Sequence, residues 1–108
     1  MTQREILEAV SRSVPAERLQ GSCVYWYTPV LAKGDPITIG LPVEVMPFTG
    51  SVVFVDLAPG KNWAHPCLYL LIDAATMHAT VVEASLPPSV DTTDDRYVLM
   101  LRDGERPA

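Results

Sequence analysis

The stretch CLYLLIDAATMHATVVEASL, residues 67–86, decides the fold class, because it predicts a β-hairpin. The segment CLYLLID is rich in large apolar side chains, HATVVEASL contains β-branched ones, and the short connection AATM separates them. Two such runs joined by a short link are typical of neighbouring antiparallel strands. We therefore expect an antiparallel sheet, and the other elements of the chain are interpreted around it.

Three segments before the hairpin and one after it carry further strand signals. SVVFVDLAP is apolar on both faces and predicts a central strand. SCVYWYTPVL is aromatic and β-branched, and Pro29 is expected to break it or to mark a sheet edge. ITIGLPVEV alternates in the period of one half-buried strand, and Pro42 places it at an edge or bends it. RYVLMLRD predicts the last strand.

The N-terminus predicts a helix with a well-defined beginning and end. Thr2 and Glu5 have the spacing of a capping box, in which each side chain bonds to the backbone of the other residue. Pro15 disfavours helical geometry at the residue before it, so the helix should end near Ser13. The next segment, PAERLQG, predicts one or two further turns. One face of the first helix is apolar, with Ile6, Leu7, Val10 and Val14.

Together these signals predict an α+β fold, in which the N-terminal helix packs on one antiparallel sheet of about five or six strands. The expected organisation is a single domain over residues 1–108, helical over 2–20 and sheet-forming over 22–103, with a frayed tail at 104–108. The main rival is an all-β barrel that holds the helix as a plug.

Charge and hydropathy exclude several classes of partner. The net charge of −5 repels phosphate backbones and anionic membrane surfaces, so neither nucleic acid nor a membrane is an expected partner. No apolar run approaches the roughly 20 residues of a membrane helix, and the N-terminus lacks the apolar core of an export signal. We therefore expect a cytoplasmic protein with reduced thiols.

Cys67 and His65 form the most suggestive chemical pair in the chain. In an extended strand these residues point to the same side, so a thiol and its base are geometrically possible. However, Cys67 begins a strongly apolar segment, where a free cysteine usually packs as a small hydrophobic residue. The structural interpretation is therefore favoured over the catalytic one.

No metal or cofactor is expected from the sequence. His65, Cys67, His78 and Cys23 are possible ligands, but their spacing matches no paired zinc motif. The predicted hairpin also places His78 beside Asp73, far from His65. The phosphate-loop, dinucleotide, nucleophile-elbow and HExxH patterns are all absent from the sequence.

The aromatic residues favour an interaction surface. Tyr25 and Tyr27 share one face of their predicted strand, and Trp26 takes the other. At least one large ring must then lie away from the main core. Together with Trp63 in a predicted loop, these rings are candidates for anchoring a protein partner.

The hairpin, YLLIDAATMHATVVEASLPP, resembles the strand–turn–strand of PepSY-type and related cystatin-like modules, through Tyr69, Asp73 and Thr76. The chain departs from that pattern at Met77, which stands where the turn glycine is usual. The resemblance implies a non-catalytic module that binds, inhibits or chaperones a larger enzyme.

The leading hypothesis is a small non-enzymatic protein-interaction module, acting as a regulator, inhibitor or accessory subunit. Its partner is another protein or a second copy of the chain. The first alternative is a cysteine-dependent enzyme or thiol sensor that uses Cys67 and His65. The second alternative is a carrier of a small apolar ligand, because an open sheet capped by a helix can leave a pocket.

Overall fold

The computed structural model of the protein describes residues 1–38, 43–59, 65–85, 96–103 and 105. Its elements are α1 (Gln3–Ser13), α2 (Ala16–Leu19), β1 (Cys23–Leu31), β2 (Pro36–Thr38), β3 (Val43–Val45), β4 (Gly50–Asp56), β5 (Cys67–Asp73), β6 (Ala79–Ala84) and β7 (Tyr97–Arg102). Five strands form one antiparallel sheet in the order β6-β5-β4-β1-β7, and β2 pairs with β3 in a separate ribbon. The predicted α+β fold is confirmed, and the described strands form an open sheet rather than the rival barrel.

Helix α1 begins at the predicted capping box. The Glu5 N–H donates to the Thr2 hydroxyl (3.1 Å), and the Thr2 N–H donates to the Glu5 carboxylate (2.8 Å). The helix ends at Ser13, as Pro15 requires, and α2 forms one turn where one or two were predicted. In the part of the chain that the structure describes, no helix is long and apolar enough to cross a membrane.

The sheet carries a hydrophobic cluster on each face. The first cluster lies beneath α1, where Ile6, Ala9 and Val10 pack on side chains from β1, β4, β5 and β7. The second cluster lies on the opposite face and is richer in aromatic residues. It contains Ile37, Met46, Val52, Phe54, Cys67, Tyr69 and Leu71, with Phe48 and Leu31 packed against it. The central strand β4 contributes to both clusters, as its apolar sequence predicts.

Pro29 lies where the pairing of β1 becomes irregular. The register between β1 and β4 shifts between Tyr27 and Leu31, and the pairing of β1 with β7 extends only to Tyr27 and Tyr97. A proline has no N–H to donate to a neighbouring strand, so it fits this interruption. Pro29 therefore breaks the pairing, and β1 is an interior strand rather than an edge strand.

The prediction of one continuous strand over ITIGLPVEV is wrong. The segment forms β2 and β3, which pair with each other so that Ile37 lies opposite Glu44. Ile37 is 7% exposed, but Val45 is 57% exposed, so the two residues do not share a buried face. Residues 39–42, including Pro42, lie outside the described residues. The physical reason for the error is that the chain reverses within the segment, and alternation alone does not reveal a reversal.

The predicted tail is described only at Glu105. That residue exchanges two backbone hydrogen bonds with Arg102, of 2.7 and 2.9 Å. The remainder of residues 104–108 lies outside the described residues.

Two fully buried serines differ in their hydrogen bonding. The Ser22 hydroxyl donates to the Leu19 carbonyl (2.7 Å), whereas the Ser51 hydroxyl has no partner among the described residues. We predict that Ser51→Ala stabilises the protein by about 0.5–1.5 kcal/mol, because it removes a polar atom that loses its hydration on folding. Ser22→Ala is the matched control and should cost about 1 kcal/mol. Urea unfolding checks both values, and an equal loss in the two variants would contradict the assignment.

Met77 adopts a left-handed conformation in the β5–β6 connection, with φ of 60°. It also packs against the first cluster, so any truncation loses apolar contact. We predict that Met77→Gly is more stable than Met77→Ala by about 1 kcal/mol, because both lose that contact but only glycine relieves the backbone strain. The free energy of unfolding in urea checks this order. If Met77→Ala is the more stable variant, the left-handed conformation at residue 77 imposes no backbone strain.

Candidate functional site

The aromatic residues of β1 divide between the two faces of the sheet. Tyr25 pairs across the sheet with Phe54, and the two rings stack with centroids 6.1 Å apart. This places Tyr25 and Tyr27 on the face opposite α1, beside the second cluster. Trp26 pairs with Val53 and packs against the first cluster, beneath the helix. The predicted alternation of these rings therefore holds.

Tyr27 belongs to a compact group that we call the Tyr27 patch, made of Tyr27, Arg96 and Tyr97. The rings of Tyr27 and Tyr97 are 5.0 Å apart and tilted by 55°. The Arg96 guanidinium lies 5.6 Å from the centroid of the Tyr27 ring and donates a hydrogen bond to the Tyr27 hydroxyl (3.2 Å). Both tyrosines are half-buried, and Arg96 is exposed. The patch thus presents aromatic and cationic groups to solvent.

The backbone around Arg96 holds this patch in place. The carbonyl of Arg96 accepts two hydrogen bonds from Thr28, from its N–H (2.8 Å) and from its hydroxyl (3.0 Å). These bonds tie the beginning of β7 to β1 just beyond the last paired residues, Tyr27 and Tyr97. The backbone position of Arg96 is therefore fixed to the sheet.

The predicted site residues are only partly brought together. Tyr25 and Tyr27 share a face, whereas Trp26 lies on the other side, and its indole N–H is buried without a partner among the described residues. Trp63 lies outside the described residues. Sequence reasoning missed Arg96 and Tyr97. The sequence does show an Arg-Tyr pair at the start of the last predicted strand. That pair meets Tyr27 only because β7 lies next to β1.

A second group of polar and thiol side chains lies at the N-terminal end of β1. Cys23, Asp56 and Cys67 occupy directly paired positions on β1, β4 and β5. The His65 Nε2 lies 2.8 Å from the Asp56 Oδ1, and that oxygen also accepts from the Ala58 N–H (3.0 Å). His65 is buried, and its backbone N–H donates to the Ser85 carbonyl (2.8 Å). The imidazole is thereby fixed against the carboxylate.

The environment of Cys67 disfavours its thiolate. The side chain is 1% exposed, and burial, with the nearby Asp56 carboxylate, raises the pKa of the thiol from 9.0 to about 11. The thiolate is the nucleophilic form of cysteine, and at neutral pH only roughly one thiol in ten thousand would be ionised. Cys23 and Cys67 are thiols rather than halves of a disulfide. A disulfide between them is prevented because β4 lies between their strands and disulfides need neighbouring Cα atoms.

His78, a possible metal ligand that the spacing in the sequence already disfavoured, lies at the turn between β5 and β6. Its carbonyl accepts from the Asp73 N–H (2.9 Å), at the opposite end of β5 from His65. Across the described ranges, no three His, Cys, Asp or Glu side chains are grouped closely enough to hold a metal ion.

Comparisons with protein-family models, curated proteins and solved structures find no match for this chain. The resemblance of the hairpin to PepSY-type and cystatin-like modules therefore stays a prediction.

The thiol of Cys67 should be almost inert in the folded protein. In the Cys23→Ala variant it is the single thiol, since the chain has two cysteines. We predict that at pH 8 it reacts with a disulfide reagent about a hundredfold more slowly when folded than when unfolded in urea, from the difference in pKa alone. Stopped-flow absorbance checks the ratio. The same measurement is repeated at pH 7. If the thiol of the folded protein reacts there as fast as that of the unfolded protein, or faster, the cysteine-enzyme alternative is favoured.

Proposed function

We propose that this protein is a small protein-interaction module, a regulator, inhibitor or accessory subunit, and that it contacts its partner through the Tyr27 patch. The observation that carries the proposal is the convergence of Tyr27, Arg96 and Tyr97 at the sheet margin away from the helix. Tyrosine and arginine are among the residue types that dominate binding energy at protein interfaces.

The order of the patch also supports this function. Binding normally costs conformational entropy, because long side chains become fixed in the interface. Arg96 is already oriented over the Tyr27 ring by its hydrogen bond to the phenol oxygen, and its backbone is bonded to Thr28. Part of that entropy cost is therefore met before a partner arrives.

The alternatives have weaker support. The cysteine enzyme or thiol sensor would require a nucleophile from a thiol with a raised pKa, beside a histidine that is engaged by Asp56. The apolar-ligand carrier would require space between helix and sheet. Val10, Val24 and Leu70 are fully buried there in one packed cluster, which favours a filled core.

Site-specific photocrosslinking in the cells that make this protein tests the proposal. A benzophenone amino acid at position 97 lies in the patch, and the same residue at position 8 lies on the exposed side of α1. We expect a discrete adduct from position 97 and none from position 8. Arg96→Ala should lower the yield roughly tenfold, as truncation of an interface anchor does.

The matched control is Arg4→Ala, because Arg4 is another exposed arginine and lies on α1. It should leave the adduct from position 97 unchanged. Equal adducts from positions 8 and 97, or an adduct insensitive to Arg96→Ala, would remove the patch as the binding site.

A further inference from the structure

The two edges of the five-stranded sheet differ in how they are protected. At β7, the pairing with β1 contains a register shift between Val24 and Tyr25, and Arg102 is bridged to Glu105. Irregular pairing and charged residues are devices that prevent a sheet edge from joining another strand. At β6, the register with β5 is uninterrupted over all six residues. Strand β6 thus lacks the protection that β7 has.

The sequence of β6, ATVVEA, contains no proline and one charged residue, Glu83. That carboxylate is bonded to Arg18 on the helical side (3.2 Å). Val81, at the middle of the strand, is 40% exposed although it is β-branched and apolar. Among the described residues, β6 pairs only with β5. An uninterrupted apolar edge of this kind is a template for a further strand.

The hydrogen bonding of the hairpin determines which backbone groups face outward. The Asp73 N–H donates to the His78 carbonyl, so this pair is a hydrogen-bonded one. Because such pairs alternate along an antiparallel ladder, Thr80, Val82 and Ala84 also bond to β5. The N–H and C=O groups of Ala79, Val81 and Glu83 therefore point away from the sheet.

We propose that β6 pairs antiparallel with β6 of a second copy of this chain, about a two-fold axis at Val81. This is the register in which all three outward-facing residues find partners: Val81 lies opposite Val81, and Ala79 lies opposite Glu83 of the second copy. A register shifted by one residue would direct these groups toward residues that are already bonded to β5. The outward-facing N–H and C=O groups of one β6 strand are therefore complementary to those of a second β6 strand.

Charge complementarity also favours a second copy as the occupant. The Arg12 guanidinium donates to the Met77 carbonyl (3.2 Å), just beyond Ala79 and on the helical side of the sheet. Glu83 lies on that same side, because it pairs with Leu68 of the first cluster. In the proposed register, Glu83 of the second copy reaches the position of Arg12. Symmetry then gives two such ion pairs.

The oligomeric state tests this proposal. By analytical ultracentrifugation from about 1 μM to about 1 mM, we expect a concentration-dependent dimer. Val81→Lys places two ammonium groups opposite each other at the two-fold axis and should weaken the dimer by about a hundredfold or more. Val45→Lys is the matched control, since Val45 is a similarly exposed valine on β3, and it should leave the dimer intact.

A charge exchange tests the register itself. Arg12→Glu and Glu83→Arg each create two like-charge contacts in a homodimer, so each variant alone should dimerise weakly. Mixed together, the two variants form a heterodimer in which both contacts again join opposite charges. Recovery of the dimer on mixing supports the register. Circular dichroism of each variant separates a lost interface from a lost fold.

Three results would overturn the proposal: a monomer throughout the concentration range, a dimer that survives Val81→Lys, or a dimer that Val45→Lys also abolishes. None of them concerns position 97. The proposal for the β6 interface and the proposal for the Tyr27 patch are therefore tested independently of each other.

Discussion

The burial of β4 on both faces is the constraint on which the rest of the structure depends. Val53 and Val55 face the helix, while Val52 and Phe54 face the second cluster. A strand that is apolar on both sides needs a cover on each face and a neighbouring strand at each edge. Helix α1 covers one face, and Ile37, Met46 and Phe48 pack on the other. At the beginning of β4, a side chain on Gly50 would overlap the backbone carbonyl of Ile72, so the close approach of β5 there requires glycine.

The pairing register of β4 also separates the polar group around Asp56 from the Tyr27 patch. Asp56, the last residue of β4, lies between Cys23 and Cys67 and holds His65, so these groups collect at one end of the sheet. The Tyr27 patch lies at the middle of β1, where pairing with β7 stops. The contact between His65 and Asp56 links the beginning of β5 to the end of β4. Among the described residues, this contact does not involve the Tyr27 patch, the surface that we propose for binding.

The sequence predicted the features that depend on local physical chemistry. The capping box and Pro15 determine the bounds of α1, and the two-sided apolar pattern of SVVFVD correctly indicates a central strand. Alternation in ITIGLPVEV was misleading, because a period of two is equally compatible with one strand and with two that face each other. The Tyr27 patch could not be found from local patterns either. Tyr27 and Arg96 are separated by 69 positions, and they meet only because β7 returns to lie beside β1.

The proposed dimer gives the position of the patch a functional meaning. Pairing at β6 extends the sheet to ten strands, with β7 of each copy at the two far edges. At about 4.8 Å per strand, the two patches would lie roughly 40 Å apart before the twist of the sheet is considered. A partner with two copies of its own site at that spacing would gain avidity, because the second contact forms at a high effective concentration. A partner with a single site would gain nothing. A module built in this way would therefore favour repetitive or oligomeric partners, although each patch is small.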